Sequence, residues 1–255
     1  MPVAPWGQEA RLYVHEMGHS LGLPHSGWRY YDYDSHHDEM SRGHPAKSVK
    51  CGTYRSANAG NAMTDLFCSE PGAGYIMVHQ DYLGWIPAAN KKTHDAAVGI
   101  PKDYVIEANS VALGSRIKLV IVCITGKPCS GAEDSTATFV TVEVKLHAGK
   151  FDNGVPSEGV VIHGVRMNRG ALGEGDDCYF NTQSGWAVPF DATLHDFDPA
   201  LCVDGDSPEM DEPGHGLMNM TYGVGKTFSS ARLGVTVQVL SRTGNTFKVR
   251  VTKTK

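Results

Sequence analysis

The segment His15-Glu16-Met17-Gly18-His19-Ser20-Leu21-Gly22-Leu23-Pro24-His25 groups the residue types in this 255-residue chain best suited to chemistry. Its pattern is HExxHxxGxxH. In a helix, His15 and His19 lie four residues apart on one face, so both imidazoles reach a single ion. Imidazole nitrogens bind zinc at roughly 2.0–2.1 Å. Glu16 lies about 100° round the helix from His15, where its carboxylate approaches a water on that ion without ligating the ion. Gly22 permits a sharp reversal of the chain that brings His25 back as the third ligand. Three histidines leave a fourth position open, the arrangement of a catalytic rather than a structural zinc. HExxH alone arises by chance in roughly one chain in forty. With Gly22 and His25 the figure falls to the order of one in ten thousand, so the longer pattern carries the weight.

The elements that must position these residues differ between the two parts of the chain. Residues 8–21 read as a helix whose packed side is made by Leu12, Val14, Met17 and Leu21, with Gly18 weakening it by about 1 kcal/mol relative to Ala. Gly22 is placed to end that helix in a left-handed conformation, and Pro24 forbids its continuation. From 26 to 74 the sequence is loop-like, and a second short helix is expected at 75–84. Residues 87–101 have linker character. Beyond them the period changes to that of strands, at 116–122, 140–146, 159–167, 233–240 and 246–252. In 140–146 the apolar Val140, Val142, Val144 and Leu146 alternate with Thr141, Glu143 and Lys145. Short alternating strands separated by turn residues predict an antiparallel sandwich or barrel. The expected fold class is α+β: a zinc-helix unit over 1–95, then an all-β, sandwich-like unit over 96–255.

The eleven-residue motif resembles that of the metzincin metallopeptidases. Gly22-Leu23-Pro24-His25-Ser26 is similar to the continuation found in the gametolysin-type enzymes of that group. Tyr33-Asp34-Ser35-His36-His37-Asp38-Glu39-Met40 resembles their Met-turn, which implies that Met40 lies beneath the metal without ligating it. Met63 and Met77 are its rivals. The segment His79 to Trp85 resembles the family's closing HxxxLGW helix. Family members with a tyrosine ligand place it two residues after the Met-turn methionine; that residue is Arg42 here, so no tyrosine ligand is expected. The resemblance spans about residues 8–87, and the β-rich remainder is loosely similar to an accessory domain of related secreted peptidases. It implies a zinc-dependent endopeptidase with one catalytic Zn2+, held by His15, His19 and His25, and Glu16 as general base. The implied substrates are extracellular proteins, such as matrix or cell-wall glycoproteins. Metzincins place a twisted sheet before the zinc helix, and only fourteen residues precede His15, so the expectation is either a fragment, with that half and a signal peptide upstream, or a chain that has lost that half. A second reading is a non-catalytic extracellular β-sandwich module, binding carbohydrate or protein, with a vestigial zinc site.

Composition narrows the partners. A net charge of −5 without a dense Lys/Arg cluster speaks against nucleic acid. No apolar run approaches the roughly 18–20 residues of a membrane span. Six dispersed cysteines with no CxxC pair fit a disulfide-bonded extracellular protein. Sequence leaves their connectivity open; nearest-neighbour pairing keeps each bridge within one domain and gives Cys51–Cys68, Cys123–Cys129 and Cys178–Cys202. His36, His37, His44 and His79 are read as solvent-exposed loop histidines, with a second metal site as the alternative. Asp196 to Glu212 is an acidic stretch that does not match a twelve-residue EF-hand loop, so a solvated loop is expected there, with Ca2+ as the alternative. Gly225-Lys226-Thr227 lacks the earlier glycine of a phosphate loop, because that position is Met220.

Overall fold

The computed structural model of the chain describes residues 10–26, 35, 37–41, 51–55, 64–68, 73–125, 129, 137–148, 152, 154–167, 186–189 and 220–255. In order these form α1 (Ala10–Ser20), β1 (Cys51–Arg55), β2 (Thr64–Cys68), α2 (Met77–Tyr82), β3 (Lys91–Thr93), β4 (Lys102–Glu107), β5 (Leu119–Thr125), β6 (Thr138–Lys145), β7 (Gly159–Arg166), β8 (Ala187–Pro189), β9 (Thr221–Tyr222), β10 (Thr227–Ser230), β11 (Val235–Thr243) and β12 (Thr246–Lys253).

Two sheets dominate. One has the order β10-β11-β12-β4, and the other runs β3-β5-β6-β7-β8 with β9 also pairing with β7. All neighbours are antiparallel except β3 and β5, which run parallel. β1 and β2 make a separate antiparallel pair in which Cys51 is opposite Cys68. The two sheets face each other through one apolar cluster. Val120, Val122, Val140, Val142, Val144, Val160 and Ile162 come from one, and Tyr104, Ile106, Val235, Val237, Phe247, Val249 and Val251 from the other. Each such side chain contributes about 1.5–3 kcal/mol by leaving water. The result is a mostly β protein with a sandwich at its centre.

The larger sheet is covered on its other face as well. Ile76, Met77, Val78 and Ile86 pack there against Leu119, Ile121, Phe139 and Val165. With both faces covered, β5 reads as a continuous apolar run. The same layering buries the polar residues that alternate along β6. Thr141, Glu143 and Lys145 are all fully buried. They lie on the face covered by the segment around α2, whose backbone supplies partners: Met77 N–H donates to both Glu143 oxygens at 3.2 Å, and Lys145 Nζ donates to the Gly74 carbonyl at 2.6 Å. Period-2 patterning separates two faces but does not say which face is wet.

Other expectations fare unevenly. The strands at 116–122, 140–146, 159–167, 233–240 and 246–252 all appear, shifted by a few residues. Residues 87–101, read as linker, contain β3, and the stretch read as loop contains β1 and β2. The expected boundary at 95 falls just after β3, which pairs across it with β5. Cys123 and Cys129 form a disulfide. Cys178, Cys202, the acidic stretch 196–212, Arg42, Met63, His36 and His44 lie outside the described residues. Among the described residues, no helix is long and apolar enough to cross a membrane.

Candidate metal centre

Helix α1 ends as its sequence requires. Gly22 takes φ of +87°, with its N–H bonded to the His19 carbonyl and the Leu23 N–H bonded to that of Gly18. These two bonds make a Schellman motif, which satisfies the orphan carbonyls and turns the chain back on itself. The turn returns Leu23, Pro24 and His25 alongside the helix. His19 Nδ1 donates to the Leu23 carbonyl at 2.9 Å, and His15 Nδ1 donates to the Glu39 carbonyl at 2.7 Å.

Those two bonds orient the site. A carbonyl only accepts, so the ring proton of each neutral imidazole sits on Nδ1 and leaves the Nε2 lone pair facing inward. His19 Nε2 lies 3.1 Å from His15 Nε2 and 3.0 Å from His25 Nε2. Lone pairs facing one another at that distance repel unless a cation or proton lies between them. Two nitrogens bound tetrahedrally at 2.0–2.1 Å are separated by about 3.3 Å, so the spacing fits one small metal ion. Among the described residues this is the one group of three or more histidine, cysteine or acidic side chains close enough to hold a metal. His15 is buried while His19 and His25 are half-buried, and Glu16 is exposed.

Beneath the helix, Met40 is fully buried. A Cβ on Gly18 would collide with its sulfur, so the absence of a side chain at 18 lets the methionine pack directly under the turn between His15 and His19. Met77, one of its rivals, packs instead against the larger sheet. Tyr75, which sequence reasoning did not single out, donates its hydroxyl to the Val14 carbonyl. Burial, with Glu39 and Asp38 nearby, pushes its pKa up to about 12, so it stays a neutral donor. No sequence signal marks Tyr75, because its role depends on a contact across sixty-one residues.

The helix face proposed as packed is partly wrong. Met17 and Leu21 are 51% and 42% exposed and, with Tyr13 at 57%, form an apolar stripe at i, i+4, i+8 that no described element covers. The buried side of α1 is the one bearing His15 and Gly18.

His37 and His79 are likewise fully buried rather than exposed, and neither belongs to the three-histidine group. His37 Nε2 lies 3.2 Å from Ser157 Oγ. His79 is enclosed by Asp38, His163, Glu143 and Lys145. Burial pushes its pKa below the ordinary 6.5, against the opposing pull of the Asp38 carboxylate. The folded state therefore keeps this ring neutral where the unfolded chain protonates. Stability from this source is complete above pH 6.5 and is lost as pH falls below it. Burial lowers the pKa of His94 too, and it adds to the same slope. His79→Gln is expected to flatten, without abolishing, the fall in urea midpoint between about pH 6.5 and 5. An unchanged slope in that variant would show that His79 does not titrate on unfolding.

Compared with known proteins, the chain matches no family model, no curated protein and no solved structure.

Proposed function

We propose that this chain is a secreted, metzincin-type zinc endopeptidase of gametolysin character. Residues 1–95 are then the C-terminal part of the catalytic domain, and 96–255 the β-rich accessory part. The observation that carries the reading is the convergence of three Nε2 atoms on one point, with two of the rings held in the metal-binding tautomer by backbone carbonyls. Zinc bound there would leave a fourth position for water, lower the pKa of that water toward about 7 and polarise a substrate carbonyl. His15, His19 and His25 hold the ion. Glu16, exposed beside His15, accepts the proton lost as the water oxygen joins the scissile carbon, and delivers it to the amine nitrogen when the C–N bond breaks. The substrates are proteins or peptides outside the cell.

Elemental analysis of the purified chain beside a His19→Ala control tests this directly. About one zinc per chain, absent from the control, is the expected result. A folded chain that takes up no zinc would sink the peptidase reading and favour a β-sandwich binding module with a vestigial site.

A further inference from the structure

We propose that Asp38 is the positioning residue of the metal site, locking His15 and His25 into one frame; this rests on the three-histidine metal reading. Asp38 is fully buried. Its Oδ2 accepts the hydroxyl proton of Ser26, the residue that follows His25. Its Oδ1 accepts the Ile76 N–H at 3.1 Å, and His79 Nδ1 lies 3.5 Å from Oδ2. The next residue, Glu39, provides the carbonyl that orients His15.

These contacts close a ring through the site. It runs from His25 to Ser26, across to the Asp38 carboxylate, along the backbone to Glu39 and across to His15. Two further bonds brace it. The Ser26 N–H donates to the Met40 carbonyl at 3.1 Å, and the Ser41 N–H donates to the Asp38 carbonyl at 3.2 Å. The second closes a tight turn over 38–41, so a shift of Asp38 moves both the Glu39 carbonyl and Met40. On the far side, Asp38 is tied through Ile76 to the start of α2, whose Met77 N–H rests on Glu143 of the larger sheet. Asp38 is thus where the third-ligand loop, the turn under the helix and the sheet-borne segment meet. A carboxylate suits this place because one side chain accepts from two separate chain segments at once. Without it, the Ser26 hydroxyl and the Ile76 N–H are left buried and unpaired. Groups that orient metal ligands from behind in this way typically change metal affinity by about 10–100-fold when removed.

The test is zinc affinity of the full chain by chelator competition, well below its melting temperature, for parent, Asp38→Ala, Asp38→Asn and Ser26→Ala. Cobalt(II) spectra of each variant report the geometry of the three imidazoles independently of turnover. Expected are zinc binding about 10–100-fold weaker and an altered cobalt spectrum in Asp38→Ala, with partial rescue in Asp38→Asn, which keeps one acceptor oxygen. If Asp38→Ala does not fold, Ser26→Ala decides: it removes a single donor and is expected to weaken zinc several-fold. Parental affinity and spectrum in a folded Asp38→Ala, or in Ser26→Ala where that variant decides, overturn the proposal and leave the metal reading intact. A parent chain that binds no zinc overturns both.

Discussion

Glu16→Gln is expected to keep its zinc and lose turnover, with kcat falling by about 10²–10⁴-fold. The substitution preserves size and removes the ability to take up a proton. Glu16 is exposed on α1, and its backbone carbonyl still accepts the Ser20 hydroxyl at 3.1 Å, so helix and metal site survive the change. Steady-state cleavage of a quenched peptide, with zinc content measured on the same sample, separates the two effects. A fall in kcat at nearly constant KM identifies a group that acts in the transition state. Full activity in a zinc-loaded Glu16→Gln chain would exclude Glu16 as the base.

The largest effect on stability is expected at Lys145, far from His15 in sequence. Its ammonium is fully buried and sits 2.9 Å from the equally buried Asp152. Burial alone pushes the Lys145 pKa down, but the carboxylates of Asp152 and Glu143 outweigh it and leave the pKa above the ordinary lysine value. Lys145 is therefore charged throughout the neutral range, and the pair contributes until strongly alkaline pH. Lys145→Ala strips Asp152 of its counter-charge and the Gly74 carbonyl of its donor. Breaking a buried pair from one side costs about 3–5 kcal/mol, and urea unfolding would register it as a large drop in midpoint. Adding Asp152→Asn should recover part of the loss, since the orphaned charge goes while the amide oxygen still accepts the Gly74 N–H. A Lys145→Ala chain within about 1 kcal/mol of the parent would mean that water reaches this pair.

Both predictions depend on the same architecture. The face of β6 bearing Glu143 and Lys145 carries the segment from Gly74 to α2, and that segment in turn holds Asp38 through Ile76 and sets its own Tyr75 against α1. The sandwich is the floor on which the metal site stands. Damage to the floor should reach the site through these bonds, whereas Glu16 lies above it and can be changed alone.

The sequence by itself determined what depends on near neighbours. Four-residue spacing on a helix puts His15 beside His19, and Gly22 supplies the left-handed cap that brings His25 round within ten residues. The strands at 138–145 and 246–253 were legible because alternation over six or more residues is a local property. Only the tertiary structure decided which faces are wet. Glu143 and Lys145 alternate with valines as solvent-facing residues would, yet they are buried, because Met77 and Gly74, 66 and 71 residues earlier, bring a backbone donor and acceptor to them. Met17 and Leu21 look like core residues, yet they are exposed, because burial needs a covering partner and a helix cannot specify one. Tyr75 carried no local signal, and the motifs containing Asp38 and His79 did not show what those two side chains touch. Their roles arise from hydrogen bonds and charges between distant segments, and spacing along the chain holds no record of those.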